Sequence, residues 1–133
     1  VGAKKIYLCG GTETPPNHRI KKASINTTEI VEWEYFPTTL EAIKDLRSKI
    51  QDLRIVAVEL AENSIPYTEY KFELPIALVV GHESDGVSED VMKVCDAVVE
   101  LPMYGINISL NVMVSLAITL YEVLRQTSPV TQD

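Results

Sequence analysis

The stretch "ALVVGHESDGVSEDV", residues 77 to 91, ends the most apolar run of the chain with His82, Glu83, Ser84 and Asp85 set between Gly81 and Gly86. Polar groups at that position suit two kinds of work. One is an exit turn, since Asp-Gly is a favoured turn pair and Ser88 followed by Glu89 and Asp90 makes a helix N-terminus. The other is a ligand site, because open α/β sheets take ligands at the carboxyl ends of their strands. A second stretch, "ELPMYGINISLNVMVSLAI" at residues 100 to 118, raises the same choice. Pro102 and Gly105 bend the chain, and Ser109 can cap a helix that has Asn111 in its first turn. That reading accounts for Gly105 and Ser109. It leaves over Asn111, a poor helix former, and the apolar loop residues Met103, Ile106 and Ile108, which suit a pocket wall.

Spacing argues against other chemistries. "HES" starts like a zinc-protease helix, but Asp85 and Gly86 break the helix and the only other histidine is His18. A dinucleotide fingerprint fails because a carboxylate, Glu83, stands where a pyrophosphate would have to approach. Cys9 and Cys95 lie far apart in apolar surroundings, without the spacing of a metal or redox pair, and read as packed thiols. No metal site is expected.

The elements that must position these residues follow from periodicity. Short apolar runs rich in β-branched residues predict strands at Lys5 to Cys9, Arg54 to Val58, Ile76 to Val80 and Ala97 to Leu101, with a weaker one at Val31 to Phe36. Helical patterns fall at His18 to Ile25, at Thr39 to Ile50 behind a Thr38-Thr39 cap, and at Ser88 to Cys95. Residues Glu62 to Pro75 read as a polar loop or short irregular segment. Strands alternating with helices mean an α/β fold with a mostly parallel sheet. At 133 residues and 46% hydrophobic, the chain has material for one core and one domain. No run reaches the ~18 apolar residues of a membrane span, and the N-terminus lacks a signal peptide's apolar stretch, so a cytoplasmic protein is expected.

The last helix, Ser109 to Gln126, is apolar nearly all round, with only a narrow stripe of Asn111, Ser115, Thr119 and Glu122. Such a helix needs two partners: the sheet is one, and a second copy of the chain is the expected other, which predicts a homodimer. A net charge of −7 argues against nucleic acid, whose phosphates it repels. The charge is uneven, however: Lys4, Lys5, Arg19, Lys21 and Lys22 face the single acid Glu13 in residues 1 to 28, which permits a local basic surface.

"LVVGHESDGV" and "LPMYGINISLNVMVSLAI" resemble the second and third motifs of the SpoU/TrmH branch of the SPOUT RNA 2'-O-ribose methyltransferases, and the match covers residues 1 to 126. The resemblance implies a SPOUT α/β knot over residues 1 to 133: a parallel sheet flanked by helices, with a deep C-terminal trefoil knot, a rare exception to ordinary topology. It also implies S-adenosylmethionine as cofactor and RNA, tRNA before rRNA, as partner. By the same resemblance, Gly81 lets the backbone approach the cofactor. Leu101, Pro102, Met103, Ile108 and Leu110 wrap the adenosine. Glu83 lies beside the methyl acceptor, and Ser109 and Asn111 position the methionine portion and the acceptor ribose. The family's base, an arginine of the first motif, has no counterpart here. Val1-Gly2 resembles the end of that motif, so an upstream segment carrying the arginine and a first strand is expected. The rival readings are a knotted module that binds cofactor or RNA without turnover, and a metabolic enzyme using the same carboxylate turn on a small acid.

Overall fold

The structure, a computed structural model, describes residues 4–9, 32–81, 86–103 and 111–128. It divides into two compact units, Val1–Lys49 and Ile50–Asp133. The expected helix His18 to Ile25 lies outside the described residues.

In the first unit, β1 (Lys5–Cys9) pairs in parallel with β2 (Glu32–Phe36), from Lys5 opposite Glu32 to Cys9 opposite Phe36. Lys5 Nζ stands 3.4 Å from Glu34 Oε1 and 3.7 Å from Glu32 Oε1, and 5.1 Å from the centre of the Tyr7 ring. Tyr7 in turn stacks on Phe36. Helix α1 (Thr39–Lys49) starts where Thr38 Oγ1 accepts from the Glu41 amide at 3.1 Å. Glu41 in its first turn, and Arg47 and Lys49 in its last, complement the helix dipole. It packs on β1 and β2 and buries Ala42, Ile43 and Leu46, which the helical period places on one side.

The second unit holds a four-stranded, wholly parallel sheet in the order β4-β6-β3-β5, formed by β3 (Arg54–Val58), β4 (Ile65–Pro66), β5 (Ile76–Val80) and β6 (Ala97–Glu100). Central β3 is buried from Ile55 to Val58. Asp96 sets the start of β6 against it, for its N–H donates to Ile55 O at 2.7 Å while its carboxylate accepts from Ile55 N–H at 2.7 Å. Val56, Val58 and Val99 form a buried cluster with Phe72 and Val123, and Ile76, Leu78, Val80, Ala97 and Leu101 pack against it. The two-residue period of a strand puts alternate residues on one face. Helix α2 (Glu89–Val94) is capped by Ser88, whose Oγ accepts from Val91 N–H at 3.3 Å.

Helix α3 (Val112–Thr127) contacts β3 and β5. It corrects the expected helix at its start. It starts at Val112, not Ser109, because Asn111 is its N-cap: Oδ1 accepts from Met113 N–H at 2.8 Å and Val114 N–H at 3.4 Å. A short side-chain amide is poor inside a helix and good at its start. The sequence left open which side meets the sheet, and the Thr119–Glu122 part of the polar stripe turns inward while Asn111 stays exposed. Thr119 is fully buried, its hydroxyl donating to Ser115 O at 2.8 Å, and Glu122 is 8% exposed, whereas Met113 and Tyr121 are 68% and 63% exposed. Residues Glu62 to Pro75 follow the second of the two expected forms, a short irregular segment. They contain β4, with Ile65 opposite Val99, and the buried Phe72. The Phe72 N–H donates to Gln126 Oε1 at 2.9 Å, and Gln126 Nε2 donates to Tyr70 O at 3.0 Å, so the helix satisfies this segment's backbone.

Candidate functional site

Register brings the strand ends together. Val58 pairs with Val80 on one side and Val99 on the other, so Glu59, Gly81 and Glu100 begin one carboxyl edge of the sheet, with β3 between the two strands that carry the motifs. Of the expected site residues, Gly81 ends β5, and Leu101, Pro102 and Met103 leave β6 at this edge. Strand β6 ends at Glu100, one residue earlier than the apolar pattern predicts. Leu101 packs against the core cluster, Met103 is half-buried and Pro102 exposed. Asn111 caps α3. Glu83, Ile108, Ser109 and Leu110 lie outside the described residues, as does the expected knot crossing.

The edge is held by a set of close approaches. A Cβ on Gly81 would run into the backbone of Gly86 and Val87, so the chain itself returns across Gly81. Gly86 has φ +68°, the left-handed region that favours glycine, and a Cβ there would run into the Glu59 carboxylate. The resemblance gave Gly81 the task of admitting a cofactor; in the fold, the space beside its Cα takes the returning backbone.

Glu59 completes that arrangement. Its amide donates to Val99 O at 2.9 Å, its Oε1 accepts from Leu60 N–H at 3.1 Å and its Oε2 from Val87 N–H at 2.7 Å. Sequence reading passed over this residue. The available signal was an acid immediately after the apolar run "RIVAV", at the position where a parallel strand meets its ligand edge. On the far side, the Ser64 hydroxyl lies 3.1 Å from Glu100 Oε1 and Tyr67 N–H donates to Glu100 O at 2.8 Å, bracing the exit of β6.

The edge brings together the Glu59 and Glu100 carboxylates, the half-buried Leu101 and Met103 side chains and the backbone groups of three strand ends, and its negative charge is unsuited to a bare pyrophosphate. Burial pushes the Cys9 thiol up, against a smaller opposing effect of its hydrogen bond with Thr39, and Cys95 closes α2 by donating its N–H to Met92 O at 3.3 Å. Among the described residues, no group of three or more His, Cys, Asp or Glu side chains could hold a metal ion, and no helix is long and apolar enough to cross a membrane.

A wholly parallel sheet whose β5 and β6 end on either side of β3 defines an α/β protein of the open-sheet kind. The chain belongs to the SpoU rRNA Methylase family, whose profile matches residues 1–121. It is 37% identical over 110 residues to a tRNA (guanosine(18)-2'-O)-methyltransferase of Aquifex aeolicus, covering 80% of this chain and 52% of that protein. Among solved structures, it resembles the AdoMet-bound rRNA methyltransferase from Sinorhizobium meliloti with a TM-score of 0.85 and 25% identity, over 96% of this chain and 48% of that one. The A. aeolicus TrmH/SpoU tRNA modifying enzyme matches with a TM-score of 0.75 and 31% identity, over 92% and 60%. The chain thus spans about half the length of the relatives it matches. The expected family and its α/β architecture are borne out.

Proposed function

We propose that the protein is an S-adenosylmethionine-dependent RNA 2'-O-ribose methyltransferase acting on tRNA, with rRNA as the other substrate class. The observation that carries this reading is the convergence of two motif ends, Gly81 and Leu101–Met103, on either side of Glu59 at one carboxyl edge of a SpoU-family sheet. The name of the Aquifex relative supports tRNA, and the AdoMet-bound neighbour supports the cofactor.

Bound S-adenosylmethionine would supply an activated methyl group for transfer to the ribose 2'-oxygen, with S-adenosylhomocysteine leaving and the hydroxyl proton released. The chain's part is to bind and orient. Leu101, Pro102 and Met103 flank the adenosine together with Ile108 and Leu110, and their apolar character fits that ring. Gly81, with Gly86 and Val87 packed across it, fixes the turn that carries Glu83. Glu83 lies at the acceptor, where a carboxylate can receive a hydrogen bond from the 2'-hydroxyl, and Ser109 and Asn111 position ribose and methionine. Asn111 Oδ1 is engaged in capping α3.

We read residues 1 to 133 as one methyltransferase domain, knotted at its C-terminal motif, cytoplasmic, and dimeric through α3. The exposed Met113, Val114 and Tyr121 on that helix support the dimer, since exposed apolar side chains gathered on one helix face mark an interaction surface. Incubation of the full-length protein with methyl-labelled S-adenosylmethionine and bulk tRNA or rRNA, followed by digestion to nucleosides, tests the reading. Label in 2'-O-methylated nucleosides of tRNA is expected. Label on a base would overturn the ribose assignment, and binding without transfer would favour the non-catalytic module.

A further inference from the structure

The Glu59 carboxylate sits where two otherwise independent requirements meet. It occupies the space that Gly86 vacates by having no Cβ, and it accepts the Val87 N–H at 2.7 Å. Gly86 and Val87 are also the residues packed against Gly81, at the end of β5. Meanwhile the Glu59 amide is tied to Val99 O on β6 at 2.9 Å. One residue therefore joins the end of β3 to β6 through its backbone and to the return of the β5 turn through its side chain. A carboxylate accepting backbone N–H groups makes a charge-assisted bond, stronger than a neutral one, and it holds a returning strand end more firmly than packing alone.

We infer that Glu59 is a positioning residue: it fixes Gly86 and Val87 against Gly81 and thereby holds the carboxyl end of β5 at the edge that receives the cofactor. This rests on the methyltransferase reading for the identity of the ligand, and on the fold alone for the brace. Neither the acceptor nor the cofactor need touch Glu59. Its action runs through the Val87 amide, and a side chain that keeps an oxygen at that point keeps the effect.

The 133-residue chain, Glu59→Ala and Glu59→Gln are compared by amide hydrogen exchange at Val87 and by calorimetric titration with S-adenosylmethionine. In Glu59→Ala, exchange at Val87 should quicken and cofactor affinity should fall, each on the order of tenfold, the size expected for loss of a charged hydrogen bond. Glu59→Gln should recover most of both, since its amide oxygen can still accept from Val87 while giving up Leu60. A fold stabiliser with no positioning role would lower the melting temperature without this recovery and without a change in affinity among folded molecules. Unchanged exchange at Val87 in Glu59→Ala would overturn the inference. Quickened exchange with unchanged affinity would overturn the positioning role as well. If the unsubstituted chain binds no S-adenosylmethionine, the methyltransferase reading fails, and exchange at Val87 alone decides whether Glu59 is the brace.

Discussion

Asn111 is where residue chemistry and function compete for one side chain. Its Oδ1 serves two amides at the start of α3, and removal of such a cap typically costs about 1 kcal/mol. Asn111→Ala should therefore lower unfolding stability by about that amount in urea, whereas Asn111→Ser or Asn111→Asp, both good caps, should hold it within about 0.5 kcal/mol. If the side chain also positions the ribose or the methionine portion, Asn111→Ser will fold normally and transfer poorly. Equal stability of Asn111→Ala and the unsubstituted chain would deny the cap. Gly86 makes a simpler case: its positive φ and its contact with Glu59 both oppose a Cβ, so Gly86→Ala should destabilise by more than about 1 kcal/mol. The sequence displayed Gly86 as half of an Asp-Gly turn, but the partner it makes room for, Glu59, is 27 residues away and can be found only in the fold.

At the scale of elements, strands were the most legible. Arg54–Val58 and Ile76–Val80 stand where their β-branched runs predict, since apolar runs of that length with turn residues on either side have few alternatives. The misreadings fell where tertiary context overrides pattern. Ile65–Pro66 is too short to show a period and becomes β4 only by pairing with β6. The side that α3 turns inward was left open by its pattern, and it is the side of the buried Thr119 and Glu122. Glu122 accepts from Arg125 Nε at 2.9 Å and Nη2 at 2.7 Å, and from Gln126 Nε2 at 2.7 Å. The Arg125 hydrogen bonds, followed by that of Gln126, hold its carboxyl at about 2 instead of the ordinary 4.5. A carboxyl with a lowered folded-state value adds stability that is complete above about pH 4.5 and disappears as the pH falls towards 2. Melting temperature should therefore drop more steeply between those limits in the unsubstituted chain than in Glu122→Gln. Parallel acid branches would contradict the network. Gln126→Ala, which leaves Phe72 N–H and Tyr70 O without their side-chain partner, should cost about 1–3 kcal/mol.

At the scale of the whole molecule, an inward polar stripe and an outward apolar one make sense if α3 meets a second chain. Tyr121 stands in the exposed stripe, and Tyr121→Glu should shift sedimentation from dimer to monomer with little change in the secondary structure of each copy. A monomeric unsubstituted chain would refute the dimer at once. The apolar excess of this helix was legible in sequence, but which side it turns outward depended on Thr119 and Glu122 being buried. The family was legible through two motifs whose residues look ordinary one by one, and which the fold sets on β5 and β6 flanking β3 in parallel register. Composition pointed elsewhere, because a charge of −7 is a global sum and a ligand edge is local. The central claim is that this edge holds S-adenosylmethionine, and calorimetric titration of the chain with that compound, paired with melting at rising ligand, tests it most directly. Saturable binding of one cofactor per chain is expected, with a melting temperature that climbs with ligand, because a ligand of the folded state alone must stabilise it. No heat and no thermal shift at millimolar S-adenosylmethionine would contradict it.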